Sequence, residues 1–214
     1  MLRLPFRDRS EAGRLLGTEL AARELGANPI VLALPRGGLA VGYEVAQKLK
    51  APLDIVIVRK LGVPWQPELA MGALAGSTRV LDHQLIGQFH ISERDVDAVV
   101  AREAQEMERR ETLYRGARPA PDLKDRTVIL VDDGLATGST MLAAVRHVRG
   151  ARARKVIVAV PVAPLETCNR FGKEADECVC LATPDPFYAV GEWYEDFRQV
   201  TDAEVQEILR RSNS

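Results

Sequence analysis

The chain has 214 residues, of which 46 % are hydrophobic and 28 % are charged, and its formal net charge is −1. This composition favours one globular domain with a sizeable core and excludes a disordered chain. It also excludes a membrane-spanning helix, because no apolar run approaches the ~20 residues that such a helix needs. The charge near zero argues against a protein that binds nucleic acid by neutralising phosphates. Because the first ten residues lack the apolar stretch of a secretory signal, we expect a cytoplasmic protein.

Short apolar runs alternate with amphipathic segments along the chain. A capping box at residues 8–11 predicts a first helix, for which Gly26 is a suitable end. Further helices are predicted at residues 39–49, 92–115, 139–149 and 165–171, and after a second capping box at residues 201–204. Strands are predicted at residues 30–34, 54–58, 79–81, 127–131, 155–160 and 177–181. Residues 59–78 contain several Gly and Pro residues and predict a long loop.

Fully apolar strands that alternate with helices predict βαβ units, and therefore an α/β fold with a parallel sheet flanked by helices. Ligands of such sheets bind beyond the carboxyl ends of the strands. The turns after Leu34, Val58, Val131 and Leu181 are therefore the candidate sites. The three cysteines, Cys168, Cys178 and Cys180, indicate neither a disulfide framework nor a four-ligand zinc site, so we expect reduced packing residues.

The turn after the run at residues 127–131 carries the most specific motif, since residues 128–140 read VILVDDGLATGST. Two adjacent carboxylates, Asp132 and Asp133, precede a loop of small and hydroxyl residues that opens a helix. Successive backbone N–H groups and a helix N-terminus favour a phosphate there. The loop lacks the lysine of a Walker A motif. A phosphate cradle beside acids that bind hydroxyls or a metal fits a ribose 5-phosphate.

This motif resembles the binding motif of type I phosphoribosyltransferases, which use 5-phosphoribosyl 1-pyrophosphate (PRPP). The similarity is greatest to an uncharacterised bacterial group of that family. It implies a type I phosphoribosyltransferase fold in one domain over residues 1–214, with a core at 28–182, a mobile loop at 60–78 and a small C-terminal hood at 183–200. It implies a pentosyltransferase that moves the phosphoribosyl group of PRPP to a nitrogenous base and releases pyrophosphate, with Mg²⁺ as cofactor.

The resemblance also assigns roles to residues at the strand ends. Asp132 and Asp133 would act in catalysis and hold Mg²⁺ through its waters. The 5-phosphate would be bound by Gly134, Leu135, Ala136, Thr137, Gly138, Ser139 and Thr140. The pyrophosphate would be bound by Arg36, Gly37, Gly38, Arg59 and Lys60.

The remaining candidates lie in the long loop and the hood, and each has a plainer alternative. Lys60 and Glu68 are candidate catalytic residues of a loop that closes over the site, but either is also consistent with a solvated loop charge. Phe187 and Tyr188 are candidates for stacking on the acceptor base, or they belong to a small hydrophobic cluster. Ala136 stands where 6-oxopurine enzymes of the family carry an Asp that handles the base proton, which argues against hypoxanthine or guanine as acceptor.

Two other functions remain open at this point. One is a non-catalytic protein that senses PRPP or a nucleotide on the same fold, and the other is a hydrolase with water as the acceptor. The expected partners are PRPP and a small base, without a membrane or a nucleic acid, and the resemblance allows a homodimer.

Overall fold

The structure is a computed structural model and describes residues 2–212. The helices are α1 (Arg9–Ala21), α2 (Gly37–Leu49), α3 (His83–Gln88), α4 (Glu93–Arg115), α5 (Ser139–Gly150), α6 (Leu165–Glu174) and α7 (Asp202–Ser212). The strands are β1 (Pro29–Ala33), β2 (Leu53–Ile55), β3 (Val58–Val63), β4 (Gln66–Ala75), β5 (Thr78–Leu81), β6 (Thr127–Val131), β7 (Lys155–Val162) and β8 (Glu177–Ala182). None of the helices in this described part is long and apolar enough to cross a membrane.

The centre of the molecule is a five-stranded parallel sheet in the order β2-β1-β6-β7-β8. Every residue of β6 is buried, because this middle strand is covered on both faces. The predicted α/β fold with a parallel sheet flanked by helices is therefore confirmed. The order places the carboxyl ends of β1 and β6 side by side, so the turns that follow them lie at one edge of the sheet.

Side chains of the central strands alternate between two cores, as the pleat requires. On one face, Val31, Ile129 and Ile157 pack with α1, α2, α4, α7 and the second sheet. On the other face, Leu130 and Val158 pack with α5 and α6. Each such side chain stabilises the fold by roughly 1.5–3 kcal/mol when it is fully buried.

The prediction of a long loop over residues 59–78 is wrong. Strands β3, β4 and β5 form a separate antiparallel sheet. Its glycines and prolines are accommodated by irregular pairing, because the register shifts between Leu61 and Gly62 and again between Gly62 and Val63. Gly62 pairs with Ala70 and Val63 with Gln66, so Pro67 lies in the unpaired stretch between these two positions of β4. A proline in such a bulge removes no hydrogen bond between the strands. The Gly and Pro residues of this segment therefore did not indicate a loop correctly. The second predicted strand also ends earlier than expected, at Ile55.

The capping predictions hold in detail at three helices. The Asp8 carboxylate accepts from the Glu11 N–H at the start of α1, although this helix ends at Ala21, well before Gly26. Ser92 caps α4. At α7, Thr201 and Glu204 satisfy each other's backbone N–H groups reciprocally.

The expectation that all three cysteines are reduced is wrong for two of them. A disulfide joins Cys168 of α6 to Cys180 of β8, and Cys178 is free. A single pair of this kind cannot be deduced from three scattered positions, because it depends on α6 lying against the edge strand.

Candidate active site

The turns after β1 and β6 are in direct contact. The Leu34 N–H donates to the Val131 carbonyl oxygen at 2.9 Å, which continues the β1–β6 pairing beyond the strands. A Cβ on Gly38 would stand 2.8 Å from the Cα of Asp132, and one on Gly37 would overlap the Asp133 carboxylate. Only glycine permits this close approach, so the two turns form one site.

Asp132 lies at the bottom of this site. One of its carboxylate oxygens accepts from the Asp133 N–H at 2.8 Å. Burial and the neighbouring Asp133 carboxylate raise the pKa of Asp132 well above its usual range. The pair is therefore poised to gain a cation or hydrogen-bond donors, since either would relieve the repulsion between two close carboxylates.

Asp133 is held by two residues that the sequence did not identify. Arg9 Nε donates to its carboxylate at 2.8 Å, and both side chains are nearly buried, at 11 % and 15 % exposure. The Arg9 guanidinium also lies 3.9 Å from the centre of the Phe197 ring. The Tyr194 hydroxyl donates to the Asp133 carbonyl at 2.5 Å. The capping box around Arg9 indicated only a helix start, so no local signal pointed to this contact.

The loop at residues 134–140 presents unused backbone donors. Within the described part of the chain, none of the N–H groups of residues 136–140 donates to a protein acceptor. Gly138 has φ +72° and is the N-cap of α5, and a Cβ on it would stand 2.5 Å from the Phe171 ring. The Thr137 and Ser139 hydroxyls lie 3.4 Å apart on the exposed side of the loop. These donors lie at the N-terminus of α5, a position that favours an anion.

Leu135 differs from the other members of this loop. Its side chain is buried, and its N–H donates to the Val162 carbonyl oxygen at 3.0 Å. The Leu135 N–H, which the family resemblance assigned to the 5-phosphate, is thus already hydrogen-bonded. It anchors the loop to β7. Gly134 is also buried, where a Cβ would stand 2.6 Å from Val190.

Helix α6 supports the same loop from outside. The Thr167 hydroxyl donates to the Ala136 carbonyl at 2.9 Å. The Arg170 guanidinium donates to the Thr137 carbonyl. Both bonds pair carbonyl oxygens of the loop with α6, whereas the N–H groups of residues 136–140 donate to no acceptor within residues 2–212. Neither residue was identified from the sequence, because the contacts join segments that are far apart along the chain.

The basic candidates occupy different positions. Arg36 precedes α2, with its guanidinium one-third exposed and 3.7 Å from the Asp202 carboxylate. Arg59 donates two hydrogen bonds to Glu103 of α4, at 2.7 and 3.0 Å. These bonds tie β3 to α4. Successive strand residues point to opposite faces, so Arg59 and Lys60 lie on different faces of β3. That both bind pyrophosphate stays a prediction.

Lys60 and Glu68 face each other across the β3–β4 hairpin. Lys60 Nζ donates to the Glu68 carbonyl at 2.9 Å and lies 3.5 Å from its carboxylate. The Lys60 side chain is 43 % exposed and that of Glu68 is 98 % exposed. The sheet that carries them borders the loop at residues 134–140, since a cavity of about 240 Å³ is lined by Ala73 and Ser139 together.

The hood contacts the segment that precedes α1. Phe6 lies opposite Tyr194 in a parallel bridge: its N–H donates to the Trp193 carbonyl and its carbonyl accepts from the Glu195 N–H. The Phe6 and Tyr194 rings lie 5.6 Å apart. Phe187 stacks on Trp193 at 6.2 Å and is partly buried, whereas Tyr188 is 78 % exposed. The plainer alternative of a hydrophobic cluster thus describes Phe187, and Tyr188 is the freer ring of the two.

Comparison with known proteins gives a consistent picture. The family model described as "Phosphoribosyl transferase domain" matches residues 12–192. A curated protein of Mycobacterium tuberculosis named "Putative phosphoribosyl transferase Rv0571c" is 46% identical over 209 residues, 97% of this chain. The chain spans about half the length of the curated relatives it matches, at 47%.

Two solved structures extend the comparison. The crystal structure of TT1426 from Thermus thermophilus is 43% identical, with a TM-score of 0.82 over 96% of this chain and 98% of that chain. The AQ2163 protein from Aquifex aeolicus is 14% identical, with a TM-score of 0.50 over 94% of this chain and 84% of that chain. The second likeness concerns the fold alone.

Proposed function

The chain belongs to the phosphoribosyl transferase domain family, and from that premise we propose that it transfers the 5-phosphoribosyl group of PRPP to a nitrogenous base. One observation carries the proposal. The unused N–H groups of residues 136–140 lie directly beside Asp132 and Asp133, so an anion cradle and two acids share one turn. A ribose 5-phosphate has a phosphate and adjacent hydroxyls, and therefore matches both halves of the turn.

The turn after β6 binds the 5-phosphate and the ribose of PRPP, and the turn after β1 binds its pyrophosphate. The N–H groups of residues 136–140, with the Thr137 and Ser139 hydroxyls, bind the 5-phosphate. Asp132 and Asp133 accept from the ribose hydroxyls. The Gly37–Gly38 turn lets backbone approach the pyrophosphate, and Arg36 brings positive charge to it. Leu135 and Arg59 are left out of this assignment because their polar groups are already paired.

The acids also fit a Mg²⁺ cofactor. Within residues 2–212, one oxygen of each carboxylate has a protein donor, Asp132 Oδ1 and Asp133 Oδ2, and the second oxygen of each has none. Carboxylate oxygens are the hard ligands that Mg²⁺ prefers, and it commonly keeps several waters. When bound with the substrate, Mg²⁺ neutralises negative charge on the leaving pyrophosphate.

The reaction follows from this positioning. The bond between the anomeric carbon and the pyrophosphate oxygen breaks, and pyrophosphate leaves with the electron pair. A base nitrogen then bonds to the anomeric carbon, through a transition state of oxocarbenium character like that of other glycosyl transfers. The protein contributes orientation and electrostatic stabilisation rather than a covalent intermediate.

The hairpin and the hood complete the proposed site. Closure of the β3–β4 hairpin would bring Lys60 to the pyrophosphate and exclude water, which otherwise hydrolyses an activated ribose. Tyr188, with Phe187 behind it, would stack on the acceptor base. Ala136 has no group to exchange a proton with a 6-oxopurine, so the acceptor is a base that needs no such residue at this position.

The test is pyrophosphate release from PRPP and Mg²⁺ by the purified full chain. The acceptors are adenine, hypoxanthine, guanine, xanthine, uracil, orotate, nicotinate and water alone. Release that depends on one base supports the proposal and names the acceptor. Release with water alone makes the chain a hydrolase, and no release from protein that binds PRPP makes it a sensor. Both of these results contradict the transferase.

A further inference from the structure

The three cysteines gather on one side of α6. Cys168 is bonded to Cys180, and the Cys178 sulfur lies 3.8 Å from that of Cys180. All three are partly exposed. Strand β8 is an edge strand of the central sheet, so this side of the molecule is open to small solutes.

The disulfide joins the edge strand to the helix that supports the loop at residues 134–140. Thr167, Arg170 and Phe171 are the α6 residues that touch this loop, and Cys168 directly follows the first of them. The disulfide therefore fixes α6 close to Thr167 and Arg170, which donate hydrogen bonds to two carbonyls of the loop. Without it, α6 keeps only non-covalent contacts, chiefly those of the fully buried Phe171.

We propose that the Cys168–Cys180 disulfide is a site of reversible thiol oxidation that controls the order of the loop at residues 134–140. In the oxidised protein, α6 holds the Ala136 and Thr137 carbonyls by hydrogen bonds, and the loop remains preorganised for an anion. In the reduced protein, α6 fluctuates, the loop loses its support, and affinity for a phosphate falls. The two sites are thereby coupled through one short helix.

The chemical step is ordinary thiol–disulfide exchange. A dithiol reductant attacks one sulfur of the pair, and the Cys168–Cys180 bond breaks as the reductant closes its own disulfide. The two electrons and two protons of the reductant end on the two cysteines as thiols. An oxidised dithiol reverses the step.

Cys178 takes no part in the proposed exchange. Its position on the same strand face as Cys180 leaves it near the bond, but burial raises the pKa of its thiol to about 11. Only a thiolate attacks a disulfide, so Cys178 stays inert near neutral pH. Replacing it is therefore a matched control for the other two cysteines.

The three sulfurs also suggest a competing arrangement. They lie within 4.8 Å of one another, a spacing that would suit a thiolate-bound metal if the bond were absent. The structure favours the disulfide because it bonds two of the three sulfurs directly. A metal remains an outcome that the experiment detects.

The experiment first maps the bond and then measures the loop. Full-length protein is alkylated without reduction, digested and examined by mass spectrometry, with elemental analysis for zinc and copper. Hydrogen–deuterium exchange is then compared before and after dithiothreitol at the Leu135 N–H, which is hydrogen-bonded to the Val162 carbonyl oxygen, and in peptides of α6. The panel is wild type, Cys178→Ser, and the double variant Cys168→Ser with Cys180→Ser. Affinity for ribose 5-phosphate is measured by calorimetry on the same samples.

The expected result is a Cys168–Cys180 crosslink and at least about fivefold faster exchange of the Leu135 N–H and of α6 after reduction. Wild type and Cys178→Ser show this response, whereas the double variant exchanges fast in both conditions. A missing crosslink, a bound metal, or loop exchange that does not respond to reduction overturns the proposal. The phosphate affinity rests on the proposed function, but the crosslink and the exchange do not. Protein that binds no ribose 5-phosphate would therefore contradict the function while the redox result still stands.

Discussion

Asp133 is the side chain on which the contacts of the site converge. Its carboxylate accepts from Arg9, its backbone carbonyl accepts from Tyr194, and its N–H donates to Asp132. Two residues distant in sequence, Arg9 and Tyr194, together with the neighbouring Asp132, thus hold both the carboxylate and the backbone of Asp133. Such fixation is what a group needs if it is to stabilise charge that develops in a transition state.

Replacement of this carboxylate tests its role. We expect Asp133→Asn to lower PRPP turnover or affinity by about 100-fold or more, because a charge-assisted contact at the reacting centre is lost. Steady-state kinetics and calorimetry measure the effect, and circular dichroism checks the fold. Asp125→Asn is the matched control, since Asp125 is an exposed acid before the opposite end of the same strand. Wild-type turnover and affinity in Asp133→Asn would remove this residue from the site.

The hydroxyl of Thr137 offers a second, milder test. Its side chain is exposed, and its one side-chain hydrogen-bond contact within residues 2–212 is with the Ser139 hydroxyl at 3.4 Å. We expect Thr137→Val to weaken ribose 5-phosphate binding by about tenfold, the scale of a hydrogen bond to a charged group, without loss of folding stability. Calorimetric titration measures it. Thr112→Val, on the exposed face of α4, should bind as wild type does. Unchanged affinity in Thr137→Val would exclude this hydroxyl as a ligand.

The residues that the sequence identified share one property. Asp132, Asp133 and the loop that follows them are contiguous, so their spacing alone indicates their chemistry. Arg9 and Tyr194 reach the same site from opposite ends of the chain, and only the folded hood brings them there. Long-range contacts of single side chains leave no periodic or local signal, and for that reason they were missed.

At the scale of elements, the hairpin of β3 and β4 is the clearest difference from the sequence prediction. The five parallel strands and the helices between them were predicted, apart from the early ends of β2 and α1, because each is a strongly apolar or strongly periodic run. The hairpin instead combines glycine, proline and bulged pairing, features that dominate in loops. Its stability comes from packing: Leu61 and Met71 are fully buried in the same core as the central strands.

His147 links α5 to this second sheet and predicts a pH dependence. Its ring packs on the turn at Gly76, and Glu111 and Arg115 of α4 face it. Burial, the largest cause, lowers the pKa of His147 below its ordinary value. The unfolded chain therefore takes up the proton first as pH falls, so this contribution to stability is present above about pH 6.5 and is lost below it.

The measurement is the unfolding free energy by urea titration at several values between about pH 7.5 and 5. We expect His147→Gln to lose less stability than wild type across this range, because the glutamine cannot be protonated. His83→Gln, at an exposed histidine, should keep the wild-type slope. A His147→Gln slope equal to that of wild type would show that this histidine is not the group responsible.

At the scale of the whole molecule, one core unites the two sheets. The cluster that holds Val31 and Ile129 of the central sheet also holds Leu61 of β3 and Leu74 of β4. Phe6 and Tyr194 form a smaller cluster with Val162 and Ala182, the last residues of β7 and β8. The second sheet shares this core, and it also packs Ala73 and Ala75 against Ala143 of α5. We therefore propose that residues 1–214 form one domain.

Calorimetry of unfolding tests this unity. We expect a single thermal transition whose van't Hoff and calorimetric enthalpies agree, as for one cooperative unit. Near-ultraviolet circular dichroism and far-ultraviolet circular dichroism should give the same midpoint. Two resolved transitions, or different midpoints for the two probes, would show that the second sheet or the hood unfolds independently.

The most direct test of the account is a calorimetric titration of the full chain with PRPP in the presence of Mg²⁺. The turn at residues 132–140 predicts saturable binding at one site per chain, and competition by ribose 5-phosphate, which shares the phosphate and the hydroxyls. A correctly folded protein that shows no saturable PRPP binding, or binding that ribose 5-phosphate does not displace, would contradict the assignment of this turn as the ligand site.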